Sequence, residues 1–229
     1  MKLAAKIHRF FIRVRLHPIR VFCMHHVCEQ YNPDSMCAGD WMALEDFQKK
    51  CRNLKEEGYE FISLSDAYCH IKHDLVRHKK YVVITFDDGY ASLKEVLPWL
   101  EEQKIPCTLF INGKYTDGVS FRKKPTERYL TRDEVFEITC PLVEIGSHGW
   151  EHTDATKMEP KEFAEALNDN VKLLGDHSQW TAFHAYTWGR HNIQTDNILR
   201  ERNIIPVLVD GMKNYDDKNF IHRELFDPK

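Results

Sequence analysis

Two aspartates stand side by side in YVVITFDDGYASL, residues 81–93, and two histidines lie four residues apart in SHGWEH, residues 147–152. His148 and His152 have a separation that one helical turn or a tight loop converts into two imidazoles facing a common point. Either Asp87 or Asp88 would complete a set of two histidines and one carboxylate with open positions, the mark of a catalytic metal more than a structural one. The spare aspartate could then accept a proton from water held by the ion, which gives the doublet a purpose. Taken singly, each part is commonplace. A lone DDG is usually a turn, and HIKHDLVRH at 70–78, with His70, His73 and His78, reads as a solvated helical face. Their conjunction at the ends of strands is what carries specificity.

The elements that must hold these residues alternate. Tyr81, Val82, Val83, Ile84 and Phe86 form a continuous apolar run, as in a strand covered on both faces. CTLFIN (107–112) and LVEIG (142–146) read the same way, and YEFIS, TAFHAYTWG and IIPVLVD supply further candidates. Between them, Leu44, Phe47, Cys51 and Leu54 share a helical face that stops at Gly58. A second helix is expected from Ser92 to Gln103, bent or interrupted at Pro98. Thr131 and Glu134 make a capping box, so a helix starts at Arg132, with Leu130 and Val135 placed to staple it. Phe163, Leu167, Val171 and Leu174 mark a third apolar stripe ending at Gly175. Strands alternating with helices imply parallel pairing, closed into a barrel or spread as a wide open sheet. DDG, SHGWEH and YTWGRH each follow a strand directly, so all three fall on one edge, where a barrel does its chemistry.

The chain has 229 residues, 42% of them hydrophobic, enough for one full core. A formal net charge of −3 gives no field to gather nucleic acid. The seven cysteines are odd in number and form no C-x-x-C pair, which favours a reducing compartment. Cys23, His25, His26 and Cys28 lack a matching second half for a structural zinc site, so these thiols read as buried or idle. Residues 1–20 read as a basic amphipathic helix, with Leu3, Ile7, Phe10, Phe11 and Val14 at helical spacing. Arginines interrupt its apolar run, so it is neither a secretory core nor a membrane span. It packs on its own domain or lies on an anionic membrane surface. The expectation is cytoplasmic residence, with the inner membrane face as the alternative seat.

These motifs resemble the polysaccharide deacetylase family, metal-dependent enzymes that remove acetyl groups from glycans on a distorted barrel. TFDDG (85–89) resembles the first family motif, SHGWEH the second, and AYTWG (185–189) the third. The resemblance implies a single-domain α/β fold: a distorted, incomplete (β/α) barrel over residues 21–229, of about seven strands. It implies Asp87 as general base and Asp88, His148 and His152 as ligands of one divalent ion, zinc first among them. FCMHHV resembles the circularly permuted branch acting on exported or lipid-linked bacterial glycans, which makes His25 the general acid. Tyr186 and Trp188 would form a wall of the site, and the third motif would offer a backbone N–H to the oxyanion.

Three departures from the family pattern stand out. Gly149 replaces a serine or threonine, Thr187 and Trp188 replace proline and tyrosine, and the arginine that supports the base is not at its usual position. Arg190 and Arg223 are the candidates to replace it. Trp150 and Trp188 are candidates to stack on a sugar. The implied reaction is direct hydrolysis of an acetyl group, most readily N-acetyl, on a glycan or lipid-linked sugar. The alternatives are a noncatalytic glycan-binding module on the same scaffold and a metalloprotease, the latter disfavoured by the missing H-E-x-x-H.

Overall fold

The computed structural model describes residues 17–34, 36, 40–73, 75, 79–124, 126, 128–212, 214 and 218–226. Its strands are β1 (Arg20–Met24), β2 (His26–Cys28), β3 (Trp41–Ala43), β4 (Tyr59–Phe61), β5 (Lys80–Phe86), β6 (Cys107–Ile111), β7 (Val143–Ser147), β8 (Trp180–Ala185), β9 (Ile205–Val209) and β10 (Ile221–Leu225). Its helices are α1 (Leu44–Glu56), α2 (Leu64–Lys72), α3 (Leu93–Glu102), α4 (Arg132–Phe136), α5 (Pro160–Leu174) and α6 (Ile193–Glu201). No helix among the described residues is long and apolar enough to cross a membrane.

Seven strands close into a parallel barrel in the order β1, β10, β9, β8, β7, β6, β5, with β5 returning to β1. β4 is an extra strand beside the ring. Val82 pairs with Arg20 on one edge and Phe61 on the other, whereas Ile84 pairs with Phe22 and Cys107. β4 and β6 therefore share one edge of β5 in succession, which is where the barrel is distorted. Of the two arrangements open to alternating strands and helices, the closed one is adopted.

Strand alternation sorts the side chains. On β5, Val82, Ile84 and Phe86 point outward into the main core, beneath Phe47 of α1 and Leu93 and Val96 of α3. Val83 points inward and meets Val21, Phe110, Phe183, Val207 and Ile221. Leu64, Ala67 and Ile71 of α2 pack into that inner cluster, and the Leu64 and Ser65 N–H groups donate to Glu144 on β7. A carboxylate at a helix N-terminus is favourable, so Glu144 seats α2 against the barrel. Two residues further along the inward face, Cys23, Thr85 and Arg223 replace the apolar layer.

Several expectations are met at their local signals. α1 ends where Gly58 adopts φ 83°, and α4 begins at Arg132 with the full Thr131–Glu134 capping box. Others are not. α3 runs without interruption through Pro98. Gly175 caps α5 at φ −64°, with no left-handed turn, and the buried stripe of α5 is Phe163, Leu167, Asn170 and Leu174, with Val171 only partly covered. β1, β10 and α6 were not apparent from the sequence. The expected N-terminal helix falls mostly outside the described residues, and its last two positions join the barrel: Ile19 bridges Asn214 and Arg20 opens β1.

Candidate active site

Because every barrel strand is parallel, their carboxyl ends share one rim, and Asp87, His148 and His25 each follow one of them directly. The Asp87 N–H donates to the Met24 carbonyl at 2.8 Å, pinning the end of β5 to the end of β1. Asp88 and His152 hold left-handed backbone, at φ 72° and 56°. Such strain in non-glycine residues is held only where the surroundings over-determine it. The neighbouring turns are pinned: the Leu130 N–H donates to the Gly89 carbonyl beside Asp88, and ahead of His152 the His148 N–H donates to the Ile111 carbonyl, the Asn112 amide to the His148 carbonyl at 2.6 Å, and the Asn170 amide to Ile111 O, Ser147 Oγ and Gly149 O.

The result is a buried cluster. Nε2 of His148 and of His152 lie 3.5 and 3.2 Å from Asp88 Oδ1, an oxygen that is buried and has no hydrogen-bond partner among the described residues. Nδ1 of His148 donates to the Ala185 carbonyl at 2.8 Å, which orients the ring and turns Nε2 toward the carboxylate. Burial, reinforced by Arg122, holds the His152 imidazole far below its ordinary pKa. Asp88, His148 and His152 can each offer one donor atom within 4.8 Å of the others. Arg122 marks the same place as a seat for positive charge: its guanidinium contacts Asp88 Oδ2, the Tyr90 hydroxyl and the ring nitrogens of His152.

Asp87 is set apart from that cluster by its partner. Arg223, fully buried within the barrel, donates to Asp87 Oδ1 at 2.6 Å and Oδ2 at 2.8 Å, and to Thr85 Oγ1 at 3.0 Å. Burial pushes the Asp87 carboxyl up, but Arg223 outweighs it and holds the group well below the usual carboxylate range. Of the two arginines considered from sequence, Arg223 therefore supports Asp87. Arg190 instead pairs with Asp154 at 2.8 Å, with its guanidinium 5.6 Å from the Trp188 ring centre.

A cleft of about 540 Å³ opens above these groups, lined among others by His25, Asp87, His148, His152, Trp41 and Trp188. His25 approaches Cys23 and Asp87, while His26 Nδ1 meets Ser92 Oγ and its ring stacks on Tyr90. Trp188 is 55% exposed and stands edge-on to His152, with ring centres 4.8 Å apart. The other candidate for sugar stacking, Trp150, and one expected wall residue, Tyr186, lie elsewhere. The Trp150 ring packs over Gly113, where a Cβ would come within 2.6 Å of it, and lines a separate cavity of about 70 Å³. Tyr186 is fully buried, its hydroxyl donating to Asp196 and its N–H to the Val207 carbonyl at 3.0 Å, so neither group faces the cleft.

Sequence reasoning missed Asn112, Asn170 and Arg122. Asn170 carried a signal, an amide on the apolar stripe of α5, where an unpaired polar group would be costly. Arg122 carried none, because its loop has no periodicity.

The family model for polysaccharide deacetylases matches residues 75–205, more than half of the chain. The chain belongs to the polysaccharide deacetylase family. YxkH of Bacillus subtilis (strain 168), which carries a provisional polysaccharide deacetylase name, is 27% identical over 154 residues, 66% of this chain and 52% of its own length. The chain thus spans about half the length of that curated relative. Among solved structures, IcaB from Ammonifex degensii superposes with a TM-score of 0.78 at 22% identity, covering 93% of both chains. The Streptococcus pyogenes deacetylase PplD, solved with acetate, superposes at 0.75 and 20% identity, covering 92% of this chain and 93% of its own. A de-N-acetylase from Aggregatibacter actinomycetemcomitans gives 0.74 at 17%, covering 92% and 95%. At these identities the likeness supports the distorted barrel fold of this deacetylase-family chain.

Proposed function

We propose that this protein hydrolyses the N-acetyl group of a glycan or lipid-linked sugar, using one divalent ion held by Asp88, His148 and His152. The observation that carries the reading is Asp88 Oδ1, a buried carboxylate oxygen that has no hydrogen-bond partner among the described residues and faces two imidazole nitrogens. The donor set fits zinc, which accepts two histidines and a carboxylate and leaves an open position. Bound there, the ion would supply Lewis-acid chemistry, lowering the pKa of water and polarising a carbonyl.

The chain's own residues supply the rest. Asp87, kept ionised by Arg223, accepts the proton of the attacking water. His25 lines the same cleft, where it can return a proton to the departing amine. Trp188 walls the cleft and offers an aromatic face to a sugar. The pairing of Asp87 with Arg223 also keeps the base in place while Asp88 is engaged elsewhere, which accounts for the aspartate doublet.

Elemental analysis of the purified protein, paired with acetate release from N-acetylated oligosaccharides, tests the reading. Asp87→Asn is expected to retain the ion and lose acetate release by at least about a hundredfold. A protein that binds zinc and acetylated sugar yet releases no acetate under any divalent ion would be a glycan-binding module instead. Asp88→Ala with undiminished metal content would remove the proposed ligand set.

A further inference from the structure

We infer that Cys23, His25 and Asp87 form a second site for a thiophilic divalent cation of the zinc class, beside the set of Asp88, His148 and His152. One donor atom from each of the three lies within 4.8 Å of the others, close enough to converge on one ion. All three residues line the cleft, so the ion has a route in. The donor types are a thiol sulfur, an imidazole and a carboxylate, a mixture that borderline and soft ions accept and that calcium or magnesium does not favour.

The lone pairs of Asp87 show how the ion would enter. Oδ1 accepts from Arg223, and Oδ2 accepts from Arg223 and from the Cys23 S–H, with sulfur 3.3 Å away. The thiol proton therefore occupies the space between sulfur and carboxylate. An ion taking that space binds the sulfur as thiolate and Oδ2 as a carboxylate ligand, and the S–H proton passes to solvent. Arg223 keeps its two hydrogen bonds and holds the carboxylate in orientation.

No local spacing announces this site. The Cys23, His25, His26, Cys28 stretch reads as an incomplete zinc motif, and half of it is engaged with other partners: Cys28 Sγ contacts the Gln30 carbonyl and the Trp41 indole, and His26 meets Ser92. The barrel supplies Asp87 from 64 residues along the chain in their place. A functional consequence rests on the deacetylase reading above. The second ion would take both the general base and the general acid, so filling this site would silence turnover while the first ion remained bound.

Cobalt titration of the metal-stripped full-length chain tests the site without relying on activity. The expected result is two equivalents bound, one with a thiolate-to-cobalt charge-transfer band. Cys23→Ser and Cys23→Ala should each lower the count by one and abolish the band, whereas His148→Ala lowers the count by one and keeps it. His25→Ala should weaken the thiolate-bearing equivalent at least about tenfold. In parallel, acetate release should rise with the first equivalent of zinc and fall with the second, and Cys23→Ala should require at least about tenfold more zinc for that fall. A wild-type protein with no thiolate band, or a band that survives in both Cys23 variants, overturns the second site. A Cys23-dependent band without acetate release under any condition leaves the site standing and overturns the deacetylase reading; acetate release without the band does the reverse.

Discussion

Asp87 and Arg223 are 136 residues apart in sequence and share two hydrogen bonds in the barrel interior. A buried ion pair adds little net stability over an apolar pair, but removing one member strands the other charge. Arg223→Met is therefore expected to cost about 3–5 kcal/mol in urea unfolding. The double variant Asp87→Asn/Arg223→Met should recover part of that loss, because no charge is then left unpaired. An unchanged midpoint in the single variant would mean that Asp87 finds another partner. Gly149 makes a different point. Its φ is +79°, and a Cβ there would meet only His184 Cε1, at 4.0 Å. Space is available and the backbone is not, so Gly149→Ser, which restores the usual family residue, is expected to cost about 1 kcal/mol of stability. Thermal unfolding that is unchanged in this variant would show that the turn relaxes freely.

Elements with local signals were readable before folding. α1 and α5 announce themselves by apolar spacing and α4 by a capping box that satisfies orphan N–H groups, and all of that information is local in sequence. Thr131 illustrates its energetic content: its hydroxyl accepts from the Glu134 N–H while Glu134 accepts from the Thr131 N–H. Thr131→Ala should cost about 1 kcal/mol, measured by chemical denaturation. The cap also abuts the aspartate turn, since the Leu130 N–H donates to the Gly89 carbonyl. β1 and β10 were not readable because their inward faces change from apolar to polar along the strand. Val21 is followed on that face by Cys23, and Ile221 by Arg223, which breaks the uniform apolar run expected of a buried parallel strand. The metal-ligand candidates could be read from spacing and resemblance. The positions of Trp150 and Tyr186 could not, since they depend on which cavity each ring fills.

Closure of the barrel is the event that makes a site from these pieces. It brings residues numbered in the 20s, 80s, 140s and 220s to one rim, and only pairing between distant strands specifies it. The same closure buries polar groups that the unfolded chain would titrate freely. His184 is an example: burial pulls its imidazole down to about 3, and Nδ1 lies 3.0 Å from Ser147 Oγ. Between that value and the ordinary histidine value of about 6.5, the unfolded chain binds a proton that the folded chain does not. Stability therefore falls as pH drops below about 6.5, by about 1.4 kcal/mol per unit for this one group, until the folded value is reached. Glu134, lowered to about 2 against its burial by the Thr131 N–H, Lys94 and Arg128, adds a further loss in the same direction below about 4.5. Urea midpoints measured from pH 7 to pH 4 should decline accordingly. His184→Asn, whose amide can keep a hydrogen bond to Ser147, should start lower at pH 7 and decline less steeply. Parallel profiles for the two proteins would show that His184 is not the group that takes up the proton on acid unfolding.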